Sequence, residues 1–249
     1  MKPNCTLYIV NNKMIVESMT HTEAYREIFT DIDNLEAWHQ HQYDIYRRRA
    51  LKTHKFPAIW WVEYKSPRHL HYLIQITVTA RKYERNHGLM VLVLRKEKRG
   101  YTVYLSRIRS AATHVGRTVF LQHVFDQYAK RVKVKKTGIE LIKHFFSQQG
   151  GGLTMFDNEL MGRSVRYNED RDNVCMAIRD GVIFGHIDDD SFIVNTFVSY
   201  DMATGKQKET FDEARGSVLD WDEEIKLLCK KGDNPVLEKA IRLQNSYMN

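Results

Sequence analysis

His123, Gln127 and Arg131 stand four residues apart in the stretch TVFLQHVFDQYAKR, residues 118–131. At about 100° per helical residue they form one row along the edge of an apolar stripe of Phe120, Leu121, Val124, Phe125, Tyr128 and Val132. A row at the rim of a core can bring into one cleft an imidazole with a reference pKa of about 6.5 and a guanidinium that is always charged. A titrating imidazole and a fixed cation in one cleft could serve acid–base and anion-stabilising chemistry. The same row also has a packing explanation, because amphipathic side chains rest at such rims. In that case His123 hydrogen-bonds a neighbouring loop, Arg131 pairs with Asp126 or Asp201, and Thr196 is an ordinary strand residue.

The elements that must position these residues can be read in order. Thr6–Val10 and Lys13–Glu17 flank Asn11-Asn12 as a hairpin. Thr20 with Glu23, and Asp33 with Glu36, each place a capping oxygen three residues before a glutamate, predicting helices over 21–30 and 34–53. Four β-rich runs follow at 58–64, 70–79, 89–95 and 101–107. Tyr72, Ile74, Ile76 and Val78 alternate with more polar neighbours, so the second run is expected to leave one face of an antiparallel sheet wet. After the central helix come a short helix over 139–147, a long loop at 148–172, and strands over 174–178, 182–186 and 191–198. Residues 220–229 and 234–246 read as helices. The expected fold is thus α+β, antiparallel sheets with flanking helices. It divides into an N-terminal part (1–115), a helix-plus-sheet part (116–203) and a helical tail (204–249).

Charge is spread unevenly. Residues 1–35 carry −2, residues 36–150 carry +16 and residues 151–249 carry −7, within a net +7. A polyanion, RNA more than DNA, is a natural partner for the middle segment, unless the acidic third folds against it and neutralises it. Arg47, Arg48 and Arg49 with Tyr43 and Tyr46 are the nucleic-acid-binding candidates, gripping phosphates and stacking on bases. They also have a simpler reading as cations at the negative end of a helix dipole. No run is long and apolar enough for a membrane span and the N-terminus lacks a secretory pattern, so a cytoplasmic location is expected. Cys5, Cys175 and Cys229 are too scattered for a disulfide framework or a zinc site. His69 and His71 lack a third ligand that spacing can place, so neither a metal nor a cofactor is expected.

The order Phe120-x-x-His123, then Arg131, a short helix and strands ending in Asn195-Thr196-Phe197, resembles the small bacterial RNase-toxin-like domains of the barnase, colicin and RelE superfamily. The resemblance spans about 118–201, with Gln127 where that pattern has its first arginine. It implies a metal-independent endoribonuclease-like cleft lined by the catalytic candidates His123, Arg131 and Thr196, in which His123 is the base for a ribose 2′-hydroxyl, Arg131 the cation for the charge developing on phosphorus and the Thr196 hydroxyl the donor that orients the phosphate. A non-catalytic nucleic-acid-binding module, and an assembly protein with charge-separated surfaces that meets a protein partner or its own copy, stay open beside it.

Overall fold

The computed structural model describes residues 15–83, 87–106, 117–148, 173–189 and 191–231. The expected opening hairpin largely, the loop at 148–172 wholly but for Gln148, and the helix at 234–246 lie outside the described residues. Helix α1 (His21–Thr30) starts on a full capping box: Thr20 accepts from the Glu23 backbone while the Glu23 carboxylate accepts from the Thr20 backbone. Helix α2 (Ile32–Leu51) follows after one residue. It begins at Ile32 and not at residue 34 because Asp31 forms the junction. The Asp31 carboxylate is buried and accepts from Tyr72 Oη at 2.8 Å and Asn34 Nδ2 at 2.6 Å, so it caps nothing.

Eight strands form one sheet: β1 (Ala58–Lys65), β2 (His71–Val78), β3 (His87–Glu97), β4 (Gly100–Ser106), β5 (Arg117–Phe120), β6 (Asn173–Ile178), β7 (Gly181–Asp188) and β8 (Ser191–Ser199). Their spatial order is β1-β2-β3-β4-β5-β8-β7-β6. Every pairing is antiparallel except β5 with β8, which the chain reaches by a crossover through helices α3 (Gln122–Val132) and α4 (Gly138–Gln148). The fold is α+β, with helices on both faces of a mostly antiparallel sheet. β4 and β5, on either side of residue 115, pair directly, with Tyr104 opposite Val119.

The central helix is shorter than its periodicity suggests. Thr118, Val119 and Phe120 belong to β5, where β4 and β8 take up their backbone groups, and extended Leu121 separates them from α3. Phe120 still meets Phe125, Phe145 and Phe146, because the strand and helix bury against the same core. The expected wet face of β2 is also absent. Leu73 joins the core under α3 and α4, Tyr72, Ile74, Ile76 and Val78 join the core under α1 and α2, and Gln75 is buried. A last helix, α5 (Lys206–Lys231), packs Phe211, Ala214 and Val218 on Cys175, Ala177 and Val182. It lies on the same side of the sheet as α1. Phe184 and Val198 face it, whereas Ile183 and Phe197 face the α3 side.

Candidate functional site

The α3 row is present but does not converge. His123 is exposed and Arg131 half-buried, with a buried Nη1 that has no hydrogen-bond partner among the described residues. Eight residues separate them, about 12 Å of helix rise and some 80° around the axis. Tyr128, on the inner face, donates to Asp180 at 2.8 Å and packs on Phe197. Thr196 stands opposite Phe184 in the β7–β8 register, on the α5 side of the sheet. The structure therefore does not bring His123, Arg131 and Thr196 together. Neither Asp126 nor Asp201 forms an ion pair with Arg131 among the described residues; the exposed Asp201 carboxyl is held below its ordinary value, first by the neighbouring Ser199 hydroxyl and more weakly by Lys133 and Arg215.

The arginine cluster at the end of α2 does assemble. Tyr46 is buried against Trp60 with ring centroids 5.7 Å apart, and the Arg49 guanidinium lies 5.4 Å above Trp60 and 6.0 Å from Tyr46. Tyr43 is half-buried against Tyr83 and His87. Arg47 lies 3.9 Å from Asp44 in an exposed pair, while Arg48 and Arg49 are open to solvent. Lys52, Lys55, Arg81 and Lys82 are exposed as well, and Arg81 meets His54 at 3.1 Å, joining the α2–β1 connection to the β2–β3 connection. Arg49 thus lies over Trp60 of β1, the end strand of the sheet among the described residues. A dipole-capping role accounts for their sequence position; it does not account for a guanidinium stacked on a half-buried tryptophan.

A second polar cluster lies on the α1 side of the sheet, where β7 and β8 emerge between α1 and α5. His21, the first residue of α1, places Nδ1 3.2 Å from the Tyr104 hydroxyl. Arg95 is 7% exposed; its Nε donates to Glu97 at 2.8 Å and its Nη1 to the Met19 carbonyl at 3.0 Å, with the guanidinium over Tyr104. Thr22 donates to Asp189 at 3.1 Å, which ties the first turn of α1 to the β7–β8 turn. On the sheet below, the Asn195 amide nitrogen lies 2.9 Å from His186 Nδ1. Asn195 is the extra residue where the β7–β8 register shifts, which turns it toward His186. Ser191, 1% exposed and with no partner for its hydroxyl among the described residues, faces the same side, between Arg117 and Asp188 in the register.

Burial, and then the Arg95 charge, hold His21 below its ordinary pKa, with Asp188 and Glu97 pulling the other way. Burial pushes the Tyr104 phenol up to about 12, so it remains a neutral hydroxyl. Spacing could not have found His21, Tyr104, His186 and Asn195, because four separate elements contribute them. The one local signal was a histidine and an asparagine within otherwise apolar strands. Among the described residues no group of three or more His, Cys, Asp or Glu is placed to hold a metal ion, and His69 sits in the β1–β2 turn, apart from His71. No described helix is long and apolar enough to cross a membrane. No family model matches the chain, and no curated protein or solved structure does.

Proposed function

We propose that this chain is a cytoplasmic protein that binds single-stranded nucleic acid, RNA in preference to DNA, along the end of α2 and the edge of β1. The observation that carries the reading is Arg49 lying over Trp60 and Tyr46, with Arg48 and Lys52 exposed at the same helix end and Lys55, Arg81 and Lys82 exposed on the connections that follow α2 and β2. Aromatic faces and guanidinium planes accept unstacked bases, and the surrounding cations neutralise phosphates, a combination that selects single strands over duplex. The +16 charge of residues 36–150 supplies the long-range attraction.

The test is fluorescence anisotropy with labelled single-stranded RNA, single-stranded DNA and duplex of one sequence, at low and at physiological salt. RNA binding should fall steeply with salt. Arg48→Glu with Arg49→Glu should weaken it about tenfold or more, with a loss of roughly 0.7 in the log–log salt slope per phosphate contact removed. An absence of binding at low salt would overturn the reading and leave a charge-separated assembly surface as the better account.

A further inference from the structure

We infer that copies of this chain associate head to tail, the outer face of α5 in one copy docking on the lysines between α3 and α4 of the next. Both surfaces lie away from the Arg49 platform, so the association is independent of RNA binding there. Glu209, Asp212, Glu213, Asp220 and Glu223 of α5 are all exposed. At about 100° per residue these five fall within an arc of about 100°, opposite the buried Phe211, Ala214 and Val218, and no basic residue between 209 and 223 shares that arc. The stripe runs about 21 Å along the helix. Carboxylates three and four positions apart, such as Glu209 with Asp212 and Glu213, repel one another and weaken the helix that carries them. The helix dipole accounts for Glu209 in the first turn and for none of the other four. None of the five forms an ion pair among the described residues, so nothing described within the chain offsets the repulsion. A cationic surface laid along the stripe would offset it, and Leu219, 40% exposed, flanks it as an apolar contact.

The second surface is the α3–α4 connection. Lys130, Lys133, Lys135 and Lys136 are exposed, and none has an ion pair among the described residues. Val132 and Val134 pack against the core, and the Val134 N–H donates to the Ala129 carbonyl at 2.9 Å, so the chain alternates here with valines inward and Lys133 and Lys135 outward. Lys133 has a φ of 60°, in the left-handed region where glycine or asparagine is the relaxed residue. A lysine in that conformation costs stability that its packing does not return. Two carboxylates of the same region are engaged elsewhere: Asp180 accepts from Tyr128, and Asp201 is held by the Ser199 hydroxyl ahead of Lys133.

One copy cannot close these surfaces on each other. The stripe points away from the sheet on the α1 side, and the lysines stand on the α3 side. The acidic third of the sequence therefore does not neutralise this part of the basic middle within a chain; it can do so only between chains. Pairing of two unlike surfaces leaves one of each free on every pair, so copies add until a ring closes or a filament grows. Complementary charge fixes orientation and encounter rate more than strength, which makes the association sensitive to salt.

The test is sedimentation velocity on the full chain over a concentration series, at low salt and at about 1 M salt. The wild-type protein should grow beyond a dimer at low salt and return to monomer at high salt. Lys133→Glu with Lys135→Glu, and separately Glu213→Lys with Asp220→Lys, should each raise the concentration needed for association about tenfold or more. Lys96→Glu with Lys98→Glu, the same charge change at the β3–β4 turn, should leave it unaltered. An equimolar mixture of the two reversed chains should associate again, because the intact lysines of one meet the intact stripe of the other. Thermal melts check each fold, and the glutamine versions, which remove charge without adding repulsion, should weaken association in the same direction if a reversed chain fails to fold. A wild-type protein that stays monomeric at low salt overturns the inference, as does association that survives either reversal or a mixture that stays monomeric. Loss of RNA affinity on Lys133→Glu with Lys135→Glu in a chain that never associates would also overturn it, giving the lysines to nucleic acid. None of these outcomes alters the Arg49 platform, which Arg48→Glu with Arg49→Glu tests by itself.

Discussion

The two faces of the sheet are built from different chemistry. Under α3 and α4 the contacts are almost entirely aromatic and aliphatic: Phe120, Phe125, Tyr128, Phe145, Phe146 and Phe197 pack mostly edge to face at centroid distances from 4.9 to 6.3 Å. Under α1 and α2 the buried set includes Asp31, Arg95, Tyr25, Tyr72 and Tyr104, each with a polar partner. Burying polar groups lowers stability unless every one is satisfied, so such a face needs a reason beyond packing. The α3 side therefore holds the fold mainly by apolar packing, while the α1 side depends on polar groups that each need their partner.

The largest effect that would break this comparison is on the α3 side. Phe145 is fully buried and touches Phe120, Phe125, Tyr128 and Phe146. Phe145→Ala should cost about 3–5 kcal/mol of stability in chemical denaturation, since the surrounding rings cannot collapse into the space. A cost below about 1 kcal/mol would mean that this face is not the stabilising one.

Much of this architecture was legible in the sequence. Period-two runs and turn residues located seven of the eight strands, and the Thr20–Glu23 capping box marked the start of α1. The eighth strand was hidden because Thr118-Val119-Phe120 fits the helical period of the stretch that follows, and only pairing with β4 and β8 decides it. The site was less legible than the fold. A row of side chains along one helix can be computed from spacing alone, so His123 and Arg131 stood out, whereas His21 meets Tyr104 across 83 positions of sequence. Thr196 was found as a strand residue, but which side it faces depends on the register shift at Phe184–Gly185. The arginines at 47–49 were readable as a cluster; the stacking of Arg49 on Trp60 was not.

A middle-sized effect sharpens the comparison through pH. His21 has its pKa lowered in the folded protein, so between the unfolded value of about 6.5 and the lower folded value the unfolded chain binds more protons. Stability must then fall as the pH drops through that window, and the loss levels off once the folded ring is also protonated. His71 and His144 are lowered too, mainly by burial, and contribute in the same direction. Thermal melts at pH 7.5 and 5.0 should show His21→Gln losing less stability on acidification than the wild-type protein does. An identical loss in the two proteins would mean that the ring gains its proton without opposing the fold, and that the contacts with Tyr104 and Arg95 do not constrain it.

The smallest expected effect is the most discriminating. His123 is exposed on α3, on the stabilising side of the sheet, and two helical turns from Arg131. Its imidazole is no part of the core that Val124, Phe125 and Tyr128 form with α4 and the sheet. His123→Ala should therefore change stability by no more than about 0.5 kcal/mol, as exposed substitutions away from caps and ion pairs generally do. It should leave RNA binding within about twofold of wild type, because it lies on the other face of the sheet from Arg49 and Trp60 and removes no cation from that surface. A denaturant melt and an anisotropy titration on His123→Ala and Arg49→Glu side by side check both. If His123→Ala loses binding and Arg49→Glu keeps it, the nucleic-acid surface belongs to the α3 side, and the guanidinium over Trp60 serves packing alone.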